Sequence, residues 1–542
     1  MYSRLSLSWI TSSWAIGLLL VFPVIAIIYQ GLQPAGDLFQ HLMDTVMWDY
    51  IRNTVLLILG VGVLSFAMAI PAAWFMAMCD IPGRKYLQWA LMLPLAMPAY
   101  IVAGIYTELL DFAGPVQSVL RDLLGWQTAR DYWFPNIRSL GGAIVIIASV
   151  LFPYLYLLAR TSFLEQSVTL MQSAQLLGKT PLQAFWRISL PLARPAIAVG
   201  LSLIAMETLA DFATVNFFAV NTLTRAVFDT WQGYGSLHAA AKISTLMLVV
   251  VVLLLALERF SRRKQKVFQK NMGQESARLL QMKPWQQWLA ALFCWSLVVL
   301  GFLFPFSMLI YFAAQYFTDS WTTEFIEFSL NTFFIAGVVA VLACLIAILV
   351  GLFRRLHVQR GSDIPARLSS MGYAVPGTVL AIGILIPFGW LDHSLNDLIE
   401  HFGGKGPGLL FSGTMLALIA GYLVRFTAIA VGAVESSINK IPPSLDMVSR
   451  TLGHSPVKMV RKVHIPLISK GCFTAILLVF IESMKELPAA LILRPFNFET
   501  LATYVYQFVS DEMIEQGALA AIVIILVGLV PLIILSRSIE QH

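Results

Sequence analysis

Long apolar runs alternate with short polar stretches along almost the whole chain, and each run approaches the roughly 20 residues a helix needs to cross a bilayer core. Twelve are read, at about 9–30, 54–79, 88–110, 140–159, 195–217, 243–257, 289–314, 330–353, 368–390, 411–431, 471–492 and 518–536. In lipid only helices and closed barrels satisfy the backbone, and these runs lack the strict alternation of barrel strands. All twelve are therefore predicted as helices of an all-α integral membrane protein. The first run follows a single Arg4, contains Pro23 and has no small-residue cleavage site, which predicts a retained helix rather than a removed leader.

The polar stretches carry a repeat. SAQLLGKTPLQAFWRISLPL around Gly178 returns as VSRTLGHSPVKMVRKVHIPL around Gly453, a shift of 275 residues. The same shift places Leu177 on Leu452, Thr180 on Ser455, Pro181 on Pro456, Pro191 on Pro466, Glu207 on Glu482 and Asp211 on Glu486. Coincident glycines and prolines are rare by chance, because each is a small fraction of average usage. The chain is read as an internal duplication of two six-helix halves, 1–258 and 286–542, joined by a linker at 259–285.

Composition fixes the solvent: hydrophobic residues make up 58% of the 542, charged ones only 12%, and mean hydropathy is +0.77. So few charges cannot clothe a water-soluble surface of this size. Lys and Arg fix the orientation. With the N-terminus inside, inner segments hold 26 of the 36 and outer loops 8, which places both termini and both copies of the repeat in the cytoplasm. The richest inner loop, Glu258 to Lys283, includes RRKQK at 262–266. Beside a membrane such a tract contacts anionic head groups, so the net charge of +6 reports topology and not nucleic-acid binding.

Catalytic and metal chemistry find little support. Cys79, Cys294, Cys344 and Cys472 are scattered singly, with neither disulfide nor thiolate-metal spacing. His393 and His401 share an outer loop with Asp392, Asp397 and Glu400, a pattern read as a solvated loop before a metal site. Gly178-Lys179-Thr180 mimics the end of a phosphate-binding loop, but the earlier glycine is Ser173 and Pro181 follows at once. DIPGRK at 80–85 partly matches a signature of facilitator-type secondary transporters. Ile81 replaces its arginine, and 354–367 holds no counterpart.

Within the repeat, Leu170, Ala174 and Leu177 fall at helical spacing, which predicts a short helix with one apolar face. Gly178 then supplies a stop and sharp turn, and Pro181 opens a second helix that runs through Pro191 into the membrane. A short helix held at a fixed angle to a membrane helix is a lever with a docking face; the plainer alternative is a helix lying on lipid. Its presence in both halves favours docking to a two-fold partner.

These segments resemble the EAA loops of permease subunits of binding-protein-dependent ABC importers, whose pattern runs Glu-Ala-Ala, three residues, Gly, and later a hydrophobic-x-hydrophobic-Pro ending. LPLAMPAYIVAG at 93–104, ETLADFATVNFF at 207–218 and SMKELPAALILRPFNFETLATYVYQ at 483–507 further resemble the fused permeases of ferric-iron importers. The resemblance covers nearly the whole chain. It implies a type I ABC importer permease fold in a bacterial inner membrane, with coupling loops near 164–194 and 436–470. Two copies of a separate cytoplasmic ATPase would dock on those loops, a periplasmic binding protein would deliver cargo, and this chain would bind no cofactor and hydrolyse no ATP. Coupling residues implied are Gln172, Ala174, Leu177, Gly178, Pro181 and Pro191 in the first half, and Asp446, Leu452, Gly453, Pro456 and Pro466 in the second. One departure stands out: Gln172 and Met447 occupy the place of the loop glutamate, and Asp446 is the candidate substitute in one half.

Charge inside a membrane is costly and marks candidate sites. Glu207 and Asp211 lie one turn apart, Glu482 and Glu486 repeat them, and a pseudo-two-fold axis would bring four carboxylates to one path. Hard oxygen ligands suit a hard cation such as Fe(III). Against this, permeases for sulfate-like anions carry an acid matching Asp211 and Glu486, which points to gate packing there. No metal is expected to be stably bound. Arg425 has no basic counterpart in the first half; it either pairs with an intramembrane acid or snorkels to the cytoplasmic interface, and the second is favoured. Arg225 and Arg494, in outer loops, are weak candidates for touching acidic lobes of the binding protein, and solvated loop charges are the favoured reading.

Three classes are weighed: an ABC importer permease, a secondary transporter and a membrane scaffold. The duplicated loop favours the first, since an ion-coupled carrier needs no ATPase dock. For cargo, ferric iron is expected, with thiamine, a polyamine or a phosphonate as the alternative.

Overall fold

The computed structural model describes residues 7–34, 36–166, 178, 180–262, 282–357 and 361–540. Of the linker read at 259–285, residues 263–281 lie outside the described residues, as do Gln172, Ala174 and Leu177 of the first copy, while the ends of the linker belong to the helices Leu237–Arg262 and Pro284–Val298.

The helices that frame the site are, in chain order, α1 Leu7–Leu32, α2 Met47–Met78, α3 Arg84–Ala90, α4 Ala99–Leu110, α5 Leu140–Leu164, α6 Leu190–Ala210, α7 Leu237–Arg262, α8 Pro284–Val298, α9 Phe304–Gln315, α10 Thr323–Leu356, α11 Ile364–Ser369, α12 Gly377–His401, α13 Met415–Asn439, α14 Pro443–Thr451, α15 Ile465–Lys485 and α16 Ile514–Glu540. Eleven spans among the described residues are long and apolar enough to cross a membrane, and a bent pair brings the number to twelve. Helix is the outcome because only internal N–H···O=C pairing lets an apolar segment shed its backbone water.

Three expected spans differ. The run read as one helix at 88–110 is broken, with Arg84–Ala96 and Ala99–Leu124 meeting at 91°. Pro98 sits at the break: it offers no N–H and biases Met97 to the extended backbone seen there, with ψ 122°. The runs at 195–217 and 471–492 stop early, at Ala210 and Lys485. The chain turns at Asp211 and Glu486 and resumes as the short helices Ala213–Phe217 and Pro488–Leu493.

Packing divides the chain into two compact units that interleave in sequence. One unit takes Met1–Met47, Leu223–Leu248 and Trp321–Val505. In it α10, α13 and α15 pack on one another, and α1 lies against α11 and α12. Gly383 allows that contact, since a Cβ there would stand 2.8 Å from the Pro23 carbonyl oxygen. The start of α7 joins in: Lys242 donates to the Gly31 and Gln33 carbonyls at 3.1 and 2.5 Å.

The other unit takes Trp48–Thr222, Val249–Ser320 and Tyr506–His542. Here α5 packs on α6, and α16 packs on α4 and α9. Tyr106 donates to the Leu300 carbonyl at 2.7 Å, and Asn216 donates to the Tyr506 hydroxyl at 2.7 Å. Each unit is thus the middle of one sequence half clasped by outer helices of the other. The packing units do not coincide with the halves read at 1–258 and 286–542, because they exchange flanking helices.

Candidate coupling loops and carboxylate frame

Gly178 and Gly453 both adopt the left-handed backbone, with φ 73° and 74°. A Cβ on either would meet nothing within 4 Å, so backbone conformation, not crowding, favours glycine there. The N–H of Gly453 donates to Arg450 O and that of His454 to Ser449 O, pairing carbonyls that the end of α14 leaves over. Ser455 then caps the next helix by accepting from Lys458 N, and Pro456 occupies its first turn. In the first copy Thr180 Oγ1 accepts from Gln183 N, and a helix begins at Pro181.

Both copies next pass through a π turn at the same repeat position, Phe185–Ser189 and Val460–His464. A third lies at Val299–Leu303. Each ends two residues before a proline, Pro191, Pro466 or Pro305. A helical proline lacks the N–H for its i−4 partner and crowds that carbonyl, and widening the preceding turn relieves both defects. The lever between loop and membrane helix therefore carries a built-in irregularity in each half.

α14 and the residue that follows it present apolar side chains outward: Met447 and Leu452 are 65% and 69% exposed, and Val448 is exposed beside them. Asp446 behaves otherwise. Arg355 Nε donates to its Oδ2 at 2.8 Å, and His464 Nε2 lies 2.9 Å from its Oδ1. The same guanidinium donates to the Ile438 and Ile441 carbonyls, tying the ends of α10 and α13 to α14. Burial opposes ionisation of Asp446, but the hydrogen bonds from Arg355 and His464 outweigh it and hold its carboxyl below the usual range. The expectation that Asp446 replaces the loop glutamate in an outward ionic contact is corrected, because both its oxygens are engaged within its own unit.

The intramembrane acids separate into two kinds. Asp211 stands just after α6, and its Oδ1 and Oδ2 accept from Thr214 N and Thr214 Oγ1, each at 2.9 Å. Glu486 stands just after α15, and its Oε1 accepts from Ala489 N at 3.2 Å. The repeat maps Thr214 onto Ala489, which has no hydroxyl, and Val150 onto Arg425. Arg425 Nε accordingly lies 3.1 Å from Glu486 Oε2, with arginine and glutamate 8% and 6% exposed. Arg425 also donates to the Val375 carbonyl, and Tyr422 donates to that of Glu486. The snorkelling expectation for Arg425 is thereby overturned: a buried acid within reach holds a guanidinium better than a climb to the interface.

Glu207 and Glu482, one turn earlier, are half-buried. Of the loop arginines, Arg225 lies 3.3 Å from Asp229 and Arg494 pairs with Glu499, so both have partners in their own segments. The solvated loop expected around Asp392 and His401 is instead the end of α12, and Asp392, fully buried within it, accepts from Phe411 N, Ser412 N and Ser412 Oγ at 2.6–2.9 Å, anchoring the segment before α13. Sequence reading missed the Asp446 latch and the π turns, and it held pairing of Arg425 with a membrane acid as the less favoured alternative without naming Glu486. Only the π turns had a local signal, the prolines at 191 and 466.

Two lengths of the chain, 62–266 and 343–542, match the family of binding-protein-dependent transport system inner membrane components. The chain belongs to that family, carries its domain twice, and is a multi-pass membrane permease. It is 26% identical over 533 residues, 96% of both chains, to the Fe(3+)-transport system permease protein FbpB 2 of Haemophilus influenzae. It is 21% identical over 467 residues to the ferric transport system permease protein FbpB of Actinobacillus pleuropneumoniae, covering 82% of this chain and 64% of that one. The molybdenum transport system permease protein ModB of Escherichia coli K12 is 29% identical over 228 residues, which span 40% of this chain and 96% of the relative. A relative of half length matching nearly end to end is what an internal duplication predicts.

Proposed function

We propose that this chain is the whole transmembrane pathway of an ABC importer for ferric iron in a bacterial inner membrane, with both termini cytoplasmic. A periplasmic binding protein delivers the iron, and two copies of a separate cytoplasmic ATPase seat on the two loops. The observation that carries this reading is the matched pair of levers: a left-handed glycine at 178 and 453, a proline-started helix and a π turn. Closure of the ATPase pair pulls on each lever, and differential binding of the two states is where ATP energy enters. The exposed Met447, Val448 and Leu452 form the second-half docking face; the repeat maps them onto Gln172, Ser173 and Leu177, and Ala174 falls on Ser449.

Iron is supported by the names of the two long relatives and by acids in the membrane helices. Glu207 and Glu482 are assigned to the path, where carboxylate oxygen suits a hard cation. Asp211 and Glu486 are assigned to the frame, since their oxygens hold the turns that follow α6 and α15. A second cargo reading, an oxyanion, rests on the half-length relatives, among them the putative 2-aminoethylphosphonate permease PhnV of Salmonella typhimurium. Acids in a low-dielectric path would repel such a cargo.

Co-purification tests the class. Expressed with the ATPase, the chain should retain two ATPase copies, and ATP hydrolysis should rise when loaded binding protein is added. The chain alone should hydrolyse none; a chain that holds no ATPase contradicts the reading.

A further inference from the structure

The same place in the repeat is packed solid in one unit and open in the other. In the first, Phe353, Leu356 and Met459 are buried under Trp9, Ile10, Trp14, Val460 and Val463, so α1, α10 and the π turn close directly on one another. The repeat maps Trp9 onto Pro284, Trp14 onto Leu289 and Met459 onto Ala184, all smaller. There the second unit keeps a cavity of about 880 Å³ between α2, α8 and the π turn, walled by Trp74, Phe75, Phe185, Trp186, Trp285 and Phe293. That volume lies within the roughly 300–1,000 Å³ of pockets that bury a whole small ligand.

We propose that this cavity is a phospholipid site, with acyl chain among the aromatic rings and an anionic head group on Lys283. Carbon dominates the wall, which suits a hydrocarbon chain and gives a nucleotide or sugar little to bond. The lining includes three polar side chains, Thr180, Lys283 and Gln286, and the last two adjoin at the start of α8. Lys283 is exposed there and immediately precedes α8, whose first-turn N–H groups favour negative charge. Trp285, Trp288, Leu289 and Leu292 on α8 are exposed, so the mouth opens onto a surface that acyl chains cover. Thr180 lies two residues beyond Gly178, which puts the occupant against the first coupling lever. Lipid there does for the first lever what Met459 and Trp14 do for the second. The proposal stands whichever cargo the chain carries.

The test uses the full chain with its ATPase in nanodiscs containing phosphatidylglycerol or phosphatidylethanolamine with a photoactivatable acyl chain. Cross-linked peptides are mapped by mass spectrometry against Leu342–Leu345, whose side chains include exposed Leu342 and Leu345 as a reference for annular lipid. Phosphatidylglycerol should label Trp285–Phe293 and Pro71–Cys79 well above that reference. Ala184→Met with Leu289→Trp, which copies the packed unit, should remove the excess. Lys283→Gln, at an exposed position that leaves the fold alone, should cut the preference for the anionic lipid about fivefold. Labelling equal to the reference, or equal labelling by both lipids in the unaltered chain, overturns the proposal.

Discussion

Arg425 and Glu486 lie 3.1 Å apart, both buried, and join α13 to the turn after α15. The first half holds its acid, Asp211, with no basic partner among the described residues: Thr214 supplies the hydroxyl that Ala489 lacks, and Val150 stands where Arg425 does. Removing one member of a buried pair strands the other, at about 3–5 kcal/mol, whereas replacing both is far milder. Arg425→Met and Glu486→Gln should each lower the thermal stability of the purified chain sharply, and the double variant should recover most of the loss. Three equally stable variants would show that the pair bears no load.

The glycine turns give a test in which conformation is separated from space. Left-handed backbone costs an L-residue about 1–2 kcal/mol, more when β-branched, and asparagine tolerates it best. Val at 178 or 453 should leave membrane insertion intact and abolish ATPase-coupled uptake, while Asn at either should keep much of it. Since a Cβ meets nothing within 4 Å at either site, equal damage from Asn and Val would mean that the turn itself is not what matters.

Asp446 predicts a pH response. Its folded-state carboxyl sits below its ordinary value of about 3.9, so the stabilisation is complete above that value and is lost as pH falls through the folded one. Protection of residues 443–464 against hydrogen exchange should be level from neutrality to about pH 5 and drop below about pH 4. Asp446→Asn should loosen the segment at neutral pH, by about 1.5–3 kcal/mol for a charge-assisted bond. An unchanged exchange pattern would remove the latch from the account.

Changing both Glu207 and Glu482 to Gln should end uptake while the binding protein still docks and still stimulates the ATPase. Asp211→Asn should act instead on stability, because its two oxygens hold Thr214. Uptake that survives the Glu207 and Glu482 changes would take those residues out of the path.

What could be read from the chain followed the range of the interaction. Apolar length gave the spans, and the repeat around Gly178 and Gly453 gave the turns, because both are local properties of the backbone and solvent. The break at Pro98 was missed because hydropathy alone does not register a 91° bend. The exchange of α1 and α16 between units could not be read at all, since every apolar helix has many acceptable neighbours in lipid. For Arg425 the less favoured alternative, an acid pair, holds, and its partner could not be named for a related reason: Glu486 is 61 positions away, and only the fold brings it within reach. The notable asymmetries, Val150 against Arg425 and Ala184 against Met459, gain meaning once the two halves are superposed on a packed structure.

ATP-driven iron entry through this chain is measured most directly by uptake of labelled Fe(III) into proteoliposomes holding the chain and its ATPase, with iron-loaded binding protein outside and ATP within. Accumulation that needs ATP and the binding protein, and that vanishes with Gly178→Val and Gly453→Val, is the predicted result. Iron at background under all conditions, with hydrolysis stimulated instead by a phosphonate-loaded binding protein, would contradict it.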